Sequence, residues 1–449
     1  MVHKKIMGKK KILLLGTNPF ALNRGCTAMC RSSIEIIKKY IPDALLTIGG
    51  YSLEYGDLNA SLYAQKYGND QSTEINVLES GMLDKIKKIK KIIVVLNNMI
   101  KLNFAVDLCL LWRFFKYFGI ETSKIFCKNK IFKQFYHSDI IVDLKWGDQF
   151  TDIYSMYHTC AWINESIIPI LLNKPYILLP QTIGPFKNRA IYFLAKFILD
   201  RTKIIIVRER KSEEYIFKMG VYRKKIFLIP DTAFYLDPIA SEDADIILNK
   251  ESVSVDPNST ILGITLRYVG TAGQDKSTYE NYIKIIVQIA EYMQKKYGCN
   301  ILLIPHDGVE TSKRVYEEFL NKIGNKKKIF YLKNRDYSTE ELRGIIGRCD
   351  ILLSSLMHAN VAALSMHVPT INFAYSYKAI GVFGVLGQEK YVLNLKDLTY
   401  EKTISTIEEA WSNREKIRKE LETKMPGVKK RLMFAGELVK KVLDEQESR

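Results

Sequence analysis

Ser355 and His358 are the residues that type and spacing best equip for chemistry. They follow Ile351-Leu352-Leu353-Ser354, which reads as a buried strand, and they open an Ala-rich segment that reads as a helix leading to a further strand at Pro369 to Phe373. In such a unit the pair sits at the carboxyl edge of a parallel strand and in the first helical turn, where open α/β sheets bind ligands. A helix amino terminus favours anions and disfavours an imidazolium, which suits a histidine poised near neutrality. A histidine there can equally serve as part of a helix cap.

The same arrangement recurs along the chain. Lys11 to Leu15 runs into Gly16-Thr17-Asn18, and Asn23-Arg24-Gly25-Cys26 opens a helix reaching about Tyr40. Backbone N–H groups at such a turn form an anion or substrate cradle, which assigns Asn23 and Gly25 to substrate binding. Neither GxGxxG nor GxxxxGK[ST] is present, so dinucleotide and P-loop signatures are excluded. Asp139 to Leu144 ends in Lys145-Trp146-Gly147-Asp148, Tyr176 to Pro180 in Gln181, Lys203 to Val207 in Arg208-Glu209, and Ile226 to Ile229 in Pro230-Asp231. Ile261 to Leu266 ends at Arg267, and Ile301 to Ile304 in Pro305-His306-Asp307. Polar residues thus gather at the carboxyl ends of strands. Asp231 can equally cap a turn there, and Arg208-Glu209 can equally be a structural ion pair.

Strands alternating with helical segments define an α/β chain of two Rossmann-like domains, residues 1–240 and 241–449. The acidic stretch Asp237 to Ser259 reads as their linker, and Ser338-Thr339-Glu340-Glu341 as a capping box for a helix before Asp350. A chain of 449 residues exceeds a single core, and 47% apolar residues with 11% aromatics fill two. The net charge of +18 comes from scattered bases, without zinc-finger spacing or an RNP-like string, so nucleic acid is not the expected partner. Seven cysteines without a CxxC pair read as reduced thiols in a cytoplasmic protein. His137, His158, His306 and His367 have no ligand spacing, and no metal is expected. The apolar start is too short for a signal peptide.

Residues 81–133 form a basic and apolar helical insert. Lys85 to Lys91 leads into Ile92 to Leu96, and Leu108 to Phe118 follows; interrupting polar residues prevent a span of roughly 20 apolar positions. One or two helices could lie on an anionic bilayer, making the protein peripheral on the inner membrane face, or could pack on the domain with lysines outward.

The order of these motifs resembles the polysaccharide pyruvyl transferase family from about Lys11 to Gly387. The matching pieces are Asn23-Arg24-Gly25, Gly147-Asp148 with Asp152, Gln181-Thr182-Ile183-Gly184-Pro185-Phe186, Val207-Arg208-Glu209, Pro230-Asp231, Arg267, Ser355 with His358, and Pro369 followed by Tyr377-Lys378. The resemblance implies two Rossmann-like domains facing a central cleft, as in GT-B glycosyltransferases. It also implies transfer of pyruvate from phosphoenolpyruvate to a sugar of a surface polysaccharide or its lipid-linked precursor, forming a ketal, with no cofactor. His358 is then the acid/base. Asp148, Asp231 and Gln181 would orient or deprotonate acceptor hydroxyls, Arg267 and Lys378 would hold anions, and Arg208 and Ser355 would bind substrate. Cys26 stands where the family usually has an acid, and Leu356 where it usually has an arginine, so cationic duty falls to Arg267 and Lys378, with Arg343 and Arg348 as further candidates. Two other functions suit the same fold: glycosyl transfer from a nucleotide sugar, and glycan binding or assembly without catalysis.

Overall fold

The computed structural model describes residues 9–19, 21, 23–49, 80–222, 225–253, 259–267, 275–306, 309–332, 337–375 and 378–447; the side chains of 80–96, 309–312, 378 and 447 lie outside the description. Short apolar runs form the strands and amphipathic segments the helices, in near-strict alternation. The first part holds β1 (Lys11–Leu15), α1 (Arg24–Tyr40), β2 (Leu45–Ile48), α2 (Ser80–Tyr117), α3 (Ser123–Phe126), α4 (Lys130–His137), β3 (Ile140–Asp143), α5 (Met156–Leu171), β4 (Tyr176–Gln181), α6 (Arg189–Arg201), β5 (Ile204–Val207), α7 (Arg210–Lys218) and β6 (Ile226–Leu228). There follow α8 (Ser241–Lys250), β7 (Ile261–Thr265), α9 (Lys276–Tyr297), β8 (Asn300–Leu303), α10 (Val309–Lys322), β9 (Ile329–Tyr331), α11 (Thr339–Gly347), β10 (Ile351–Ser354), α12 (Met357–Ser365), β11 (Thr370–Ala374), α13 (Lys378–Gly384), β12 (Val392–Asn394), α14 (Tyr400–Ser412) and α15 (Arg414–Glu447).

Two six-stranded sheets result, every described pairing parallel, in the orders β2-β1-β3-β4-β5-β6 and β12-β11-β10-β7-β8-β9. Their central strands are buried along their whole length, as a sheet covered on both faces requires. Each order reverses direction once, at β1/β3 in the first sheet and at β7/β10 in the second. At such a reversal the following loops diverge and leave a crevice at the carboxyl edge.

The contacts divide the chain differently from the expected boundary at 240. One compact unit comprises residues 1–21, 33–229 and 433–449; the other comprises 22–32 and 230–432. The expected linker instead contains α8, whose Ala244 sits against Gly344 of α11, so it belongs to the second unit. The opening turns of α1 are also part of that unit: the Thr339 hydroxyl donates to the Arg24 carbonyl at 3.2 Å, and Arg31 pairs with Glu340. In the first unit the last turns of α15 return, with Phe434 edge-on to Phe227 and Gly436 against Tyr40.

Candidate functional site

The reversal point of the second sheet gathers most of the residues singled out from the sequence. Ser354 and Thr265 are register partners on β10 and β7, and their hydroxyls are joined at 2.6 Å. This brings the loops after the two strands side by side. Ser355, 1% exposed, accepts from the Arg267 backbone N–H and from the Tyr282 hydroxyl, each at 3.0 Å. Its oxygen therefore ties the loops together. Arg267 is half-buried, donates to the Tyr375 hydroxyl at 2.9 Å and lies 5.1 Å from that ring's centre, so its guanidinium is oriented before any ligand arrives.

His358 lies in the first turn of α12, as expected, and is half-buried. It packs directly on Gly25, where a Cβ would fall 1.9 Å from the imidazole Cγ. Only glycine at position 25 lets the ring occupy this place. Asn23 caps α1, its Oδ1 accepting from the N–H groups of Gly25 at 3.0 Å and Cys26 at 3.4 Å. The Asn23–Gly25 turn, read as a substrate cradle, thus forms part of the histidine's seat.

His306, passed over in the sequence for want of a ligand partner, stands at the carboxyl end of β8 and is 5% exposed. Burial first, then the positive charges of His358, Arg343 and Arg24, push its imidazole down to about 3, so it is neutral at pH 7. The signal was available, since Pro305-His306 ends a strand as Arg267 and Ser355 do. Fully buried Asn360, two residues after His358, has neither amide atom hydrogen-bonded among the described residues. A buried amide left so is costly and marks a position held for more than packing.

Asp231 is 2% exposed and accepts from Ala233 N–H at 2.9 Å, capping the turn at Thr232–Tyr235. Arg343 is buried; it donates to the Leu236 carbonyl at 3.1 Å, the Ser365 hydroxyl at 2.6 Å and the Ala233 carbonyl. Burial lowers its guanidinium to about 10, against the opposing pull of Asp231, Glu340 and Asp237. Neither it nor Arg348, ion-paired to Asp245 at 2.6 Å, is laid out as a ligand arm. Leu356 is buried at the start of α12 and supplies an apolar wall. Lys378 begins α13, and its side chain lies outside the described residues.

The first unit has its own crevice, where Lys145, Trp146 and Gly147 follow β3 with φ of 44°, 52° and 80°. Successive left-handed residues are strained for side chains other than glycine. Buried Lys145 holds them: its Nζ lies 2.6 Å from Asp143 Oδ2 and 3.4 Å from Glu165 Oε2, and all three side chains are inaccessible. The loop presents Asp148, half-buried, with Tyr154 donating to its Oδ2 at 2.8 Å. Gln181 is fully buried and donates to the Asp143 and Leu179 carbonyls at 3.0 and 3.1 Å. Arg208 is 4% exposed, donates to Thr182 at 3.1 Å and pairs with Glu209 at 3.6 Å. Gln181 and Arg208 thus brace the crevice from inside the fold, whereas Asp148 is at its surface.

A family model described as polysaccharide pyruvyl transferase matches residues 23–377. The amylovoran biosynthesis protein AmsJ of Erwinia amylovora is 20% identical over 283 residues, covering 61% of this chain and 66%, just under two thirds, of that protein. Among solved structures, Alr3699/HepE of Anabaena in complex with UDP superposes with a TM-score of 0.55 at 13% identity, over 97% of this chain and all of the other. UDP-GlcNAc 2-epimerase of Neisseria meningitidis gives 0.52 at 12% identity, again over 97% of this chain and 100% of that one. These likenesses bear on the fold, a GT-B-like pair of Rossmann-like α/β domains.

Proposed function

Since the chain belongs to the polysaccharide pyruvyl transferase family, we propose that it transfers the pyruvyl group of phosphoenolpyruvate to two hydroxyls of a sugar in a surface polysaccharide or its lipid-linked precursor. The relative AmsJ is named for biosynthesis of amylovoran, which agrees with a polysaccharide acceptor. The observation that carries the reading is the placement of Arg267 and His358 at the β7/β10 reversal, beside a histidine kept neutral first by burial and then by positive surroundings. Such a crevice suits a multiply charged anion with a carbon to be protonated.

In this reading Arg267 takes a carboxylate or phosphate of the donor, and His358 delivers a proton to the methylene carbon. The sugar oxygens then bond to the adjacent carbon, phosphate departs with its bridging oxygen, and the two hydroxyl protons replace the one given to carbon and neutralise the leaving group. Gly25 keeps the imidazole seated against the helix start. With phosphoenolpyruvate as donor, we place the reaction in the cytoplasm.

Arg267→Ala is expected to weaken phosphoenolpyruvate binding by about 2–4 kcal/mol, roughly 30- to 1000-fold, because a desolvated anion loses its charge-assisted partner. Ligand-induced thermal shift reads this directly. Protection of the parent protein by a nucleotide sugar, together with none by phosphoenolpyruvate, would replace the reading with glycosyl transfer.

A further inference from the structure

Over residues 97–117 helix α2 is apolar on two opposite sides, and the described residues of the fold cover one. Leu102, Ala105, Cys109 and Trp112 recur at helical spacing and are buried in the first unit's core, Trp112 edge-on to Tyr136. The other side carries Ile100, Phe104, Leu111, Phe114 and, one residue past the helix end, Phe118, also at three-, four- and seven-residue steps, and these are 47–66% exposed. A helix apolar all round is stable only when both sides are covered. This exposed stripe is about 27 Å long at 1.5 Å per residue. Trp112, which the sequence pattern offered to a membrane, is thus a core residue, and the lysines alone do not make up the outer side. Those of 85–91 have side chains outside the described residues.

We propose that the outer stripe of α2 lies in the interface of an anionic lipid bilayer. Charge decides the occupant: residues 97–133 carry seven basic side chains (101, 113, 116, 124, 128, 130 and 133) and two acidic ones (107 and 121). Lys101, Arg113, Lys116, Lys124 and Lys128 are all exposed on this segment, Lys116 lying 4.6 Å from the centre of the Trp112 ring on the inner side of the helix. Two copies of this chain meeting through it would press like charges together, whereas anionic headgroups complement them. No described helix is long and apolar enough to cross a membrane, so the contact is peripheral. The inference stands apart from the identity of the donor.

Co-sedimentation of the full chain with phosphatidylcholine vesicles, with and without about one-third phosphatidylglycerol, tests it. The parent should partition onto the anionic vesicles only and be released by ~0.5 M salt. Leu111→Ser, Phe114→Ser and Phe118→Ser together should lower partitioning at least about tenfold without changing the melting temperature, since these side chains bury little in the fold. Should that variant not fold, Lys116→Glu with Lys124→Glu and Lys128→Glu should abolish binding to anionic vesicles. Parent protein left in the supernatant with both vesicle types overturns the proposal, as does undiminished binding of the folded serine variant. A lipid-free dimer that the serine variant loses in ultracentrifugation would also overturn it, making the stripe a self-association face.

Discussion

His358→Ala is expected to lower pyruvyl transfer by about 10²–10⁴-fold while leaving the melting temperature near that of the parent, the usual loss for a positioned acid or base. The imidazole is half-buried and stands at the start of α12, so its removal opens little space in the core. Gly25→Ala is the matching control. It keeps the histidine but puts a methyl within 2.0 Å of Nδ1 and 1.9 Å of Cγ, so the ring must leave its seat. Phosphoenolpyruvate turnover should fall in both variants, with donor affinity changed less than in Arg267→Ala. A correctly folded His358→Ala enzyme with undiminished turnover would return the residue to a structural role at the helix start.

Lys145→Met should destabilise the first unit by about 3–5 kcal/mol, because it leaves the carboxylates of Asp143 and Glu165 buried without their shared cation. In a unit of this size that is a fall of about 6–20 °C in melting temperature. Tyr176 relieves only part of the loss: its phenol donates to Asp143 Oδ2 at 2.6 Å, and burial, followed by the Asp143 charge, holds its pKa well above the ordinary value, so it stays a neutral donor and brings no compensating positive charge. The strained turn of Lys145, Trp146 and Gly147 would also lose its internal anchor, and Asp148 with it. Adding Asp143→Asn should recover part of the stability, since one uncompensated charge is removed. A melting temperature within about 2 °C of the parent's in the single variant would show that the ammonium is dispensable.

The buried strands were legible because covered parallel strands are continuous apolar runs. Ile204 to Val207 and Ile351 to Ser354 fall where the sequence pattern set them, and the Ser338–Glu341 capping box forms as written. Of the four edge strands only β6 was, as Ile226 to Ile229. Leu45-Leu46-Thr47-Ile48 is half exposed, and β9 and β12 are three residues each, too short for a period to emerge. Strand ends pointed to the two reversal points because polar residues accumulate there, but they could not separate a residue facing ligand from one facing inward. Gln181 and Arg208 occupy the same topological position as Asp148 and Arg267, yet backbone carbonyls and neighbouring side chains engage them inside the fold. Lys145 was invisible as a core residue, since burial of an ammonium depends on Asp143 and Glu165, the latter 20 positions away. The division at 240 was misread because a helix can belong to two units along its length, and a linear pattern carries no trace of that.

The interleaving of the two units bears on how the polypeptide matures during synthesis. Six strands of the first sheet are complete once residue 228 has emerged, yet the helix that packs Phe434 against Phe227 and Gly436 against Tyr40 is made about 200 residues later. Until then the apolar surface that α15 covers is open to water. A nascent chain ending at Ile229 also carries Arg24 to Ser32 without Thr339 and Glu340, the residues they pack on. Domains usually fold as units from the amino terminus as they leave the ribosome. Here the first sheet is finished by a helix about 200 positions downstream, so neither part can be released as a self-sufficient product by a single cut between the sheets, and closure of the first unit waits until α15 has been made.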